Sequence, residues 1–405
     1  MISIKNAPNY LILARTLQWA IFPLPVIMLL YQYKGASIGD FFLIQGIFAI
    51  FTFMLEIPSG YMGDLFSRKN VISLGFFSFM MGNVMWLFIP GLSGIVCGEA
   101  MFAVSHSLCS GTIEAYLYDL LKKEHKEYKM NKKLGKMETY SGISMMLATL
   151  TGGFLYEHIG PTAVIWGSLW ATFLALLISF FLPDIPEIRR HVTSNSKIKD
   201  VLNISQTAFK NNEIKWLIIY PSLFGLGTLI LMWGLQPIMI AKEIPVYVFG
   251  FVGAFNMMCR VGWSSSSAKL CNLLGINGLI KLLLFVVIIG FGAAVSVGYP
   301  TPLPLTFLLL GMMAIAAGSH IMVKIVTTTL INHRIQSDER ATVLSLKSMA
   351  DKLFSGIGLI LLKPLFDIIG IQQTFLVSSS LILMTAVVSY HLIKMQIEPQ
   401  PTNRT

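Results

Sequence analysis

Long apolar runs fill most of the chain, and short polar stretches punctuate them. Strands that cross a bilayer show segments of about ten residues with alternating character. These runs are longer and do not alternate, which predicts helices. A helix needs about 20 mostly apolar residues to cross a hydrocarbon layer roughly 30 Å thick. On that measure spans fall at 8–33, 39–61, 70–90, 94–117, 134–156, 161–183, 214–240, 246–267, 277–299, 303–331, 341–364 and 371–394. The run 303–331 is long enough to tilt or to pass beyond the bilayer surface. The longest polar interruption, Asp184 to Asn212, carries Arg189, Arg190, Lys197 and Lys199. It divides the chain into a six-helix bundle over 1–183, a linker over 184–212, a second six-helix bundle over 213–394 and a tail over 395–405.

Composition supports this pattern. Of 405 residues, 55 % are hydrophobic and 12 % charged, with a mean hydropathy of +0.69. A soluble domain carries about 25 % charge, so half that amount cannot cover a wet surface on a chain of this length. An ordinary cytosolic enzyme, a secreted disulfide scaffold and a disordered tail are excluded. What remains is an all-α, multi-pass membrane protein. Cys97, Cys109, Cys259 and Cys271 fall in or beside apolar runs and read as small buried thiols rather than a bridge framework. The N-terminus lacks a short apolar stretch followed by a cleavage site, so no signal peptide is expected.

The net charge of +10 could suggest a nucleic-acid partner. Its distribution favours the bilayer instead, because basic residues collect in cytoplasmic loops. Lys122, Lys123, Lys126, Lys129, Lys132, Lys133 and Lys136 follow the fourth span, Arg68 and Lys69 follow the second, and Arg334 and Arg340 follow the tenth. Loops of opposite parity hold little beyond Lys34, Lys242 and Lys363. The bias puts the even-numbered loops and both termini in the cytoplasm, with no nucleic acid as partner. An internal repeat adds to the picture: Trp19 and Pro23 recur as Trp233 and Pro237, and Ser105-His106 as Ser319-His320, both offset by 214. That offset relates span 1 to 7 and span 4 to 10, as parallel six-helix repeats require.

One motif is specific. Gly60-Tyr-Met-Gly-Asp64-Leu-Phe-Ser-Arg68-Lys69 joins spans 2 and 3. It resembles the signature loop of the major facilitator superfamily, with Ser67 standing where that family usually has Gly. Ser110 to Asp119 is similar to the end of span 4 in bacterial members, and Arg340 to Ser345 to the entry into span 11. Gly60 is the small residue that would let helices approach. Asp64 would face the positive end of a neighbouring helix, and Arg68 would bridge Asp64 to Asp119. The resemblance implies a latch that locks the cytoplasmic side in one state and breaks in the other. Without it, Arg68 and Lys69 are only topology-setting charges. The corresponding stretch of the second half, Gly262 to Lys269, has no acid.

A charge at mid-membrane costs about 2.5–3.5 kcal/mol on insertion scales, so such residues face a cavity or a partner. Arg15, Glu56, Glu99, His106, Glu114, Arg260, Lys281, His320, Lys324 and Asp351 lie within spans. Arg15 with Glu56 or Glu114 reads as a structural pair. Glu99 and His106, seven apart, share a helix face, and His320 and Lys324 share another. The resemblance implies that spans 1, 4, 7 and 10 line a central cavity, and the repeat would place His106 and His320 across it. Glu99, His106 and His320 are then proton-coupling candidates; the blander reading has each histidine simply bonded between helices. Gln18, Trp19, Phe22, Trp233 and Gln236 could offer aromatic and amide contacts to a substrate, or could pack, and Lys324 could tune the charge or hold an anion.

The resemblance implies a secondary active transporter that moves a small organic solute by alternating access, with no cofactor, acting as a monomer in the cell (inner) membrane. No GxxxxGK[ST] loop is present for ATP hydrolysis, nor an HExxH or dense Asp motif for a membrane enzyme. Proton-driven efflux of drug-like or metabolic compounds is the first expectation, and nutrient uptake or organic-anion exchange the second. Family exporters carry a Gly-rich motif in span 5. Gly152-Gly153 matches its end, although its proline is missing.

Overall fold

The computed structural model describes residues 2–185, 210–335 and 340–394, so all but five residues of the expected linker, and the whole tail, lie outside it. Every described element is helical. The chain runs through α1 (Ala7–Gln18), α2 (Ile27–Tyr33), α3 (Ile38–Leu65), α4 (Arg68–Phe88), α5 (Gly91–Cys109), α6 (Thr112–Lys123), α7 (Met130–His158) and α8 (Pro161–Phe180). It continues through α9 (Asn212–Ala241), α10 (Val246–Val297), α11 (Leu303–Gly318), α12 (His320–Arg334), α13 (Arg340–Ser378) and α14 (Ser380–Lys394). Each of the twelve expected stretches is helical over most of its length. Eight described helices are long and apolar enough to cross a membrane by length and composition. Of the four fewer, two arise because α10 and α13 each run two expected spans together, turning at Gly275 and Gly370; the other two are the broken first span and α7, which are not among the eight. Both glycines have positive φ, 64° and 79°, where a side chain would be strained. Other expected spans are interrupted: α1 and α2 form one, α5 and α6 another.

Local chemistry sets the ends. Ser37 and Asp40 form a reciprocal capping box at the start of α3, each accepting the other's backbone N–H at 3.0 Å. Asn211 caps α9 by accepting from the backbone N–H of Glu213 and Ile214. The break between α1 and α2 contains Pro23 and leaves backbone groups without helical partners. Ser168 of α8 supplies them: its hydroxyl accepts from Phe22 N–H at 3.0 Å and donates to Ala20 carbonyl at 3.1 Å.

The chain divides into two compact units, Met1–His191 with Glu243–Ala254, and Val192–Lys242 with Phe255–Thr405. In the first, Leu11 of α1, Phe76 of α4, Leu117 and Leu120 of α6, Met137 of α7 and Ala175 of α8 meet in one buried cluster. In the second, α9 is the most enclosed of the candidate spans and packs on α13, where Phe375 fills the space beside Gly234. Exposed Trp170, Phe180, Leu361 and Ile368 suit a lipid face. All four cysteines are free, but only Cys109 is buried; Cys97 is exposed and Cys259 and Cys271 are half-buried, which corrects the expectation of four interior thiols.

The first turns of α10 belong to the first unit and lie on α7. A Cβ built on Gly153 would stand 2.9 Å from the Val246 carbonyl, and one on Gly250 2.7 Å from the Thr149 carbonyl. Glu157 accepts the Tyr247 N–H at 2.7 Å, and the Phe154 ring packs on Tyr247 and Phe251. Helices in lipid associate through such close approach rather than through hydrophobic burial. Gly153→Leu is therefore expected to lower stability by about 1–3 kcal/mol through overpacking, seen as a reduced melting temperature in detergent. Gly142→Leu, on the same helix with open space at its Cβ, should leave it nearly unchanged.

Candidate functional site

The first unit holds its carboxyl inside an aromatic box. Glu99 of α5 is 6 % exposed and accepts from the Tyr31 hydroxyl at 2.5 Å. Gln45 of α3 donates to the same Tyr31 oxygen at 3.1 Å. Phe41 and Trp86 set their rings edge-on to Tyr31 at 5.3 and 5.8 Å between centroids. Four helices thus fix one carboxyl, and among the described residues no Lys, Arg or His pairs with it. His106, two turns further along α5, is exposed, with the Phe48 ring 6.5 Å away.

Arg15 does not take up either carboxylate expected of it. It donates to Gln18 at 2.7 Å and lies over the Trp19 ring at 5.1 Å, while Glu114 acts on it only at longer range. A neighbouring amide is nearer than a carboxylate on another helix. Gln18 is itself engaged: it is buried and donates towards Ser105 at 3.3 Å and Cys109 sulfur at 3.7 Å. Phe22 is packed, with its ring against Gly167 and its backbone against Gly152. Glu56 is half-buried in α3.

At the end of this unit that bears the lysine-rich turn, Arg68 pairs with Asp119 and donates to the Ala115 carbonyl at 3.1 Å. Ser67, the departure from the usual motif, donates to Asp184 at 2.5 Å, and Tyr116 donates to the Pro183 carbonyl at 2.6 Å. The residue that breaks the motif thus ties α4 to the end of α8. Lys69 is half-buried. The Asp64 side chain lies outside the described residues. Nothing described stands within 4 Å of a Cβ on Gly60; the close approach is made by Gly63, which faces the Thr112 hydroxyl at 3.4 Å.

The second unit brings α9, α12 and α13 together through polar groups. Asp351 of α13 accepts from Ser222 of α9 at 2.7 Å. Lys347, one turn earlier and 3 % exposed, donates to Thr328 of α12 at 2.9 Å and to the Lys324 carbonyl at 3.3 Å. Lys347 and Asp351 share a face yet bond to different helices. His320 stands where α12 begins, its Nε2 buried without a hydrogen-bond partner among the described residues. A Cβ on Gly225 would come within 3.0 Å of that nitrogen. Lys324 is exposed, Gln236 buried and Trp233 half-buried. The repeat offset does not carry through to the backbone: Pro23 breaks its helix, whereas Pro237 sits inside unbroken α9. Among the described residues no cluster of three or more His, Cys, Asp or Glu could hold a metal ion.

Comparison with known proteins decides the family. The sequence profile of the Major Facilitator Superfamily matches residues 10–359. The chain belongs to that superfamily. It is similar to "Uncharacterized transporter BU466" of Buchnera aphidicola, 28 % identical over 172 residues, which cover 41 % of this chain and 42 % of the relative. The match therefore spans about two fifths of that relative's length. Among solved structures, a point mutant of the nucleoside transporter NupG has a TM-score of 0.78 at 16 % identity, over 97 % of this chain and 100 % of that one. A D-xylose–proton symporter has a TM-score of 0.70 at 12 % identity, over 96 % of each chain. At these identities the likeness to both structures is one of fold alone.

Within this superfamily fold, Tyr31, Gln45, Ser222 and Lys347 are polar contributors that sequence reasoning did not single out. Lys347 had a usable signal, an i, i+4 spacing to Asp351 on one helix face; the others are ordinary residues until their partners are seen. The fit of His320 against Gly225 is directly testable. Gly225→Ala should destabilise the protein by about 1–3 kcal/mol. Most of that loss should vanish when His320→Ala is also present, because the double variant removes the colliding ring. Thermal unfolding of the four proteins measures it.

Proposed function

We propose that this member of the superfamily is a proton-coupled secondary transporter that exports a small organic solute, drug-like or metabolic, across the cell (inner) membrane. One observation carries the reading: Glu99 is a carboxyl deep in a membrane-crossing helix, held by a phenol, with no cationic partner among the described residues. Ionisable groups are costly in hydrocarbon and mark ion or proton pathways. Glu99 is the proton-exchanging group in this reading, with Tyr31 and Gln45 fixing its geometry. His106 and His320 complete the coupling set, and imidazole changes charge within the physiological range. Lys324 tunes the charge near His320. Gln18, Trp19, Phe22, Trp233 and Gln236 stay as candidates for the substrate cavity, with Gln18 and Phe22 acting through the packing they support. Arg68, Asp119, Asp64, Gly60 and Lys69 form the cytoplasmic latch, and Arg15, Glu56 and Glu114 have structural rather than transport roles. The protein works as a monomer. One protein of the same fold is a D-xylose–proton symporter and another a nucleoside transporter; the first supports solute and proton as partners, the second an organic solute. The close-packed glycine pair in α7 supports export.

A second reading is proton-coupled uptake of a nutrient or exchange of an organic anion. The observation that favours it is the pair of lysines, Lys324 and Lys347, set near Asp351 in the second unit.

Purified protein in proteoliposomes under an imposed pH gradient should drive a solute from a chemically diverse panel uphill against proton flow. Glu99→Gln should lower gradient-driven accumulation at least tenfold while leaving solute exchange at zero gradient largely intact. His106→Gln and His320→Gln should each weaken the coupling. Full coupling in all three variants overturns the assignment, and accumulation with the proton flow, or of anions alone, replaces export by the second reading.

A further inference from the structure

The turn between α6 and α7 carries more positive charge than its own acids can balance. Lys129, Lys132, Lys133 and Lys136 follow a spacing of three, four and seven residues, which puts them on one helical face. Lys132 and Lys136 are exposed, and Lys129 and Lys133 half-buried. Lys126 is engaged by Glu124 at 2.7 Å, but among the described residues none of the four has a carboxylate within ion-pair distance. Lys133 donates instead to neutral Asn9 of α1 at 2.7 Å. Its ammonium lies below the usual lysine range because of burial first, and then the charges of Lys136, Lys129 and Lys132. These cations press on one another, and Glu124 offsets the repulsion at Lys133 only in part.

Two aromatic rings flank the stripe. Tyr128 is 77 % exposed with Lys129 over its ring at 5.4 Å, and Lys136 lies over exposed Tyr140 at 5.1 Å. Tyrosine concentrates at the headgroup level of a bilayer, where its ring is shielded and its hydroxyl wet. The stripe lies where one expected span ends, at 117, and the next begins, at 134, so its height matches the membrane surface. Topology alone asks for positive charge in this loop; it does not ask for a single face, for four lysines without a described carboxylate in ion-pair reach, or for flanking rings.

We propose that this face is a binding site for the phosphate headgroups of anionic phospholipids. Each lysine near an anionic surface strengthens attachment about fivefold, and four on one face can share one or two phosphodiesters. The site is independent of what the protein transports.

The test uses the full chain in detergent micelles, with phosphatidylglycerol or phosphatidylcholine added, read by intact-complex mass spectrometry and by thermal shift. Phosphatidylglycerol should be retained at least tenfold more than phosphatidylcholine and should raise the melting temperature. The preference should fall in 0.5 M salt, as screened charges require. The variant K129Q/K132Q/K133Q/K136Q should lose the preference, and the corresponding Lys→Arg variant should keep it. If the fourfold Gln variant does not accumulate, K132Q/K136Q, which changes only the two exposed lysines, decides. Equal retention by parent and Gln variants overturns the proposal. So does an equal thermal shift from inorganic phosphate at the same concentration, which would assign the face to a free anion.

Discussion

Hydrocarbon offers no hydrogen bonds, so every polar group carried into it must find its partner in the protein. That constraint accounts for much of the interior of both units, with His320 Nε2 a described exception. The broken first span is tolerated because Ser168 meets the Phe22 N–H and the Ala20 carbonyl. Glu99 is held by Tyr31, Asp351 by Ser222 and Lys347 by Thr328, each on a different helix from its partner. Burying a polar group without such a bond costs several kcal/mol, whereas a made bond between membrane helices averages only about 0.6 kcal/mol. These contacts specify which helices meet and how they are turned rather than adding much stability.

Close approach supplies the rest. Where apolar surface gains nothing by leaving apolar lipid, cohesion depends on how near two backbones can come. Gly153 and Gly250 bring α7 and the start of α10 together, and Gly234 admits the Phe375 ring between α9 and α13. The same economy recurs at Gly225, where the missing side chain makes room for an imidazole. Packing and candidate chemistry there occupy the same few cubic ångströms.

The class of molecule was legible because it depends on averages: apolar runs of the right length can only be membrane helices in a chain with 12 % charge. The motif around Arg68 was legible because its spacing is rare. What escaped depends on rotation and on partners from other helices. Tyr31 and Gln45 look like ordinary residues in apolar runs until Glu99 is placed beside them. Arg15 offered two attractive carboxylates on paper, but the amide one turn away was closer. Gly60 is the conspicuous small residue of its motif, yet Gly63 makes the contact, since which glycine faces a neighbour is a matter of helix phase. The repeat paired Pro23 with Pro237, but the helix bends out at one and passes through the other, because continuity depends on what satisfies the freed carbonyl.

The Ser168 bridge spans 146 residues of sequence, and that separation has a consequence for biogenesis. The unwound stretch after α1 emerges from the ribosome long before the hydroxyl that completes it. At about 5–20 residues per second, roughly 7 to 30 seconds of translation separate the two. For that interval the opening segment needs shelter, either beside the insertion machinery or as a provisionally continuous helix, and its final shape can set only after the sixth segment arrives.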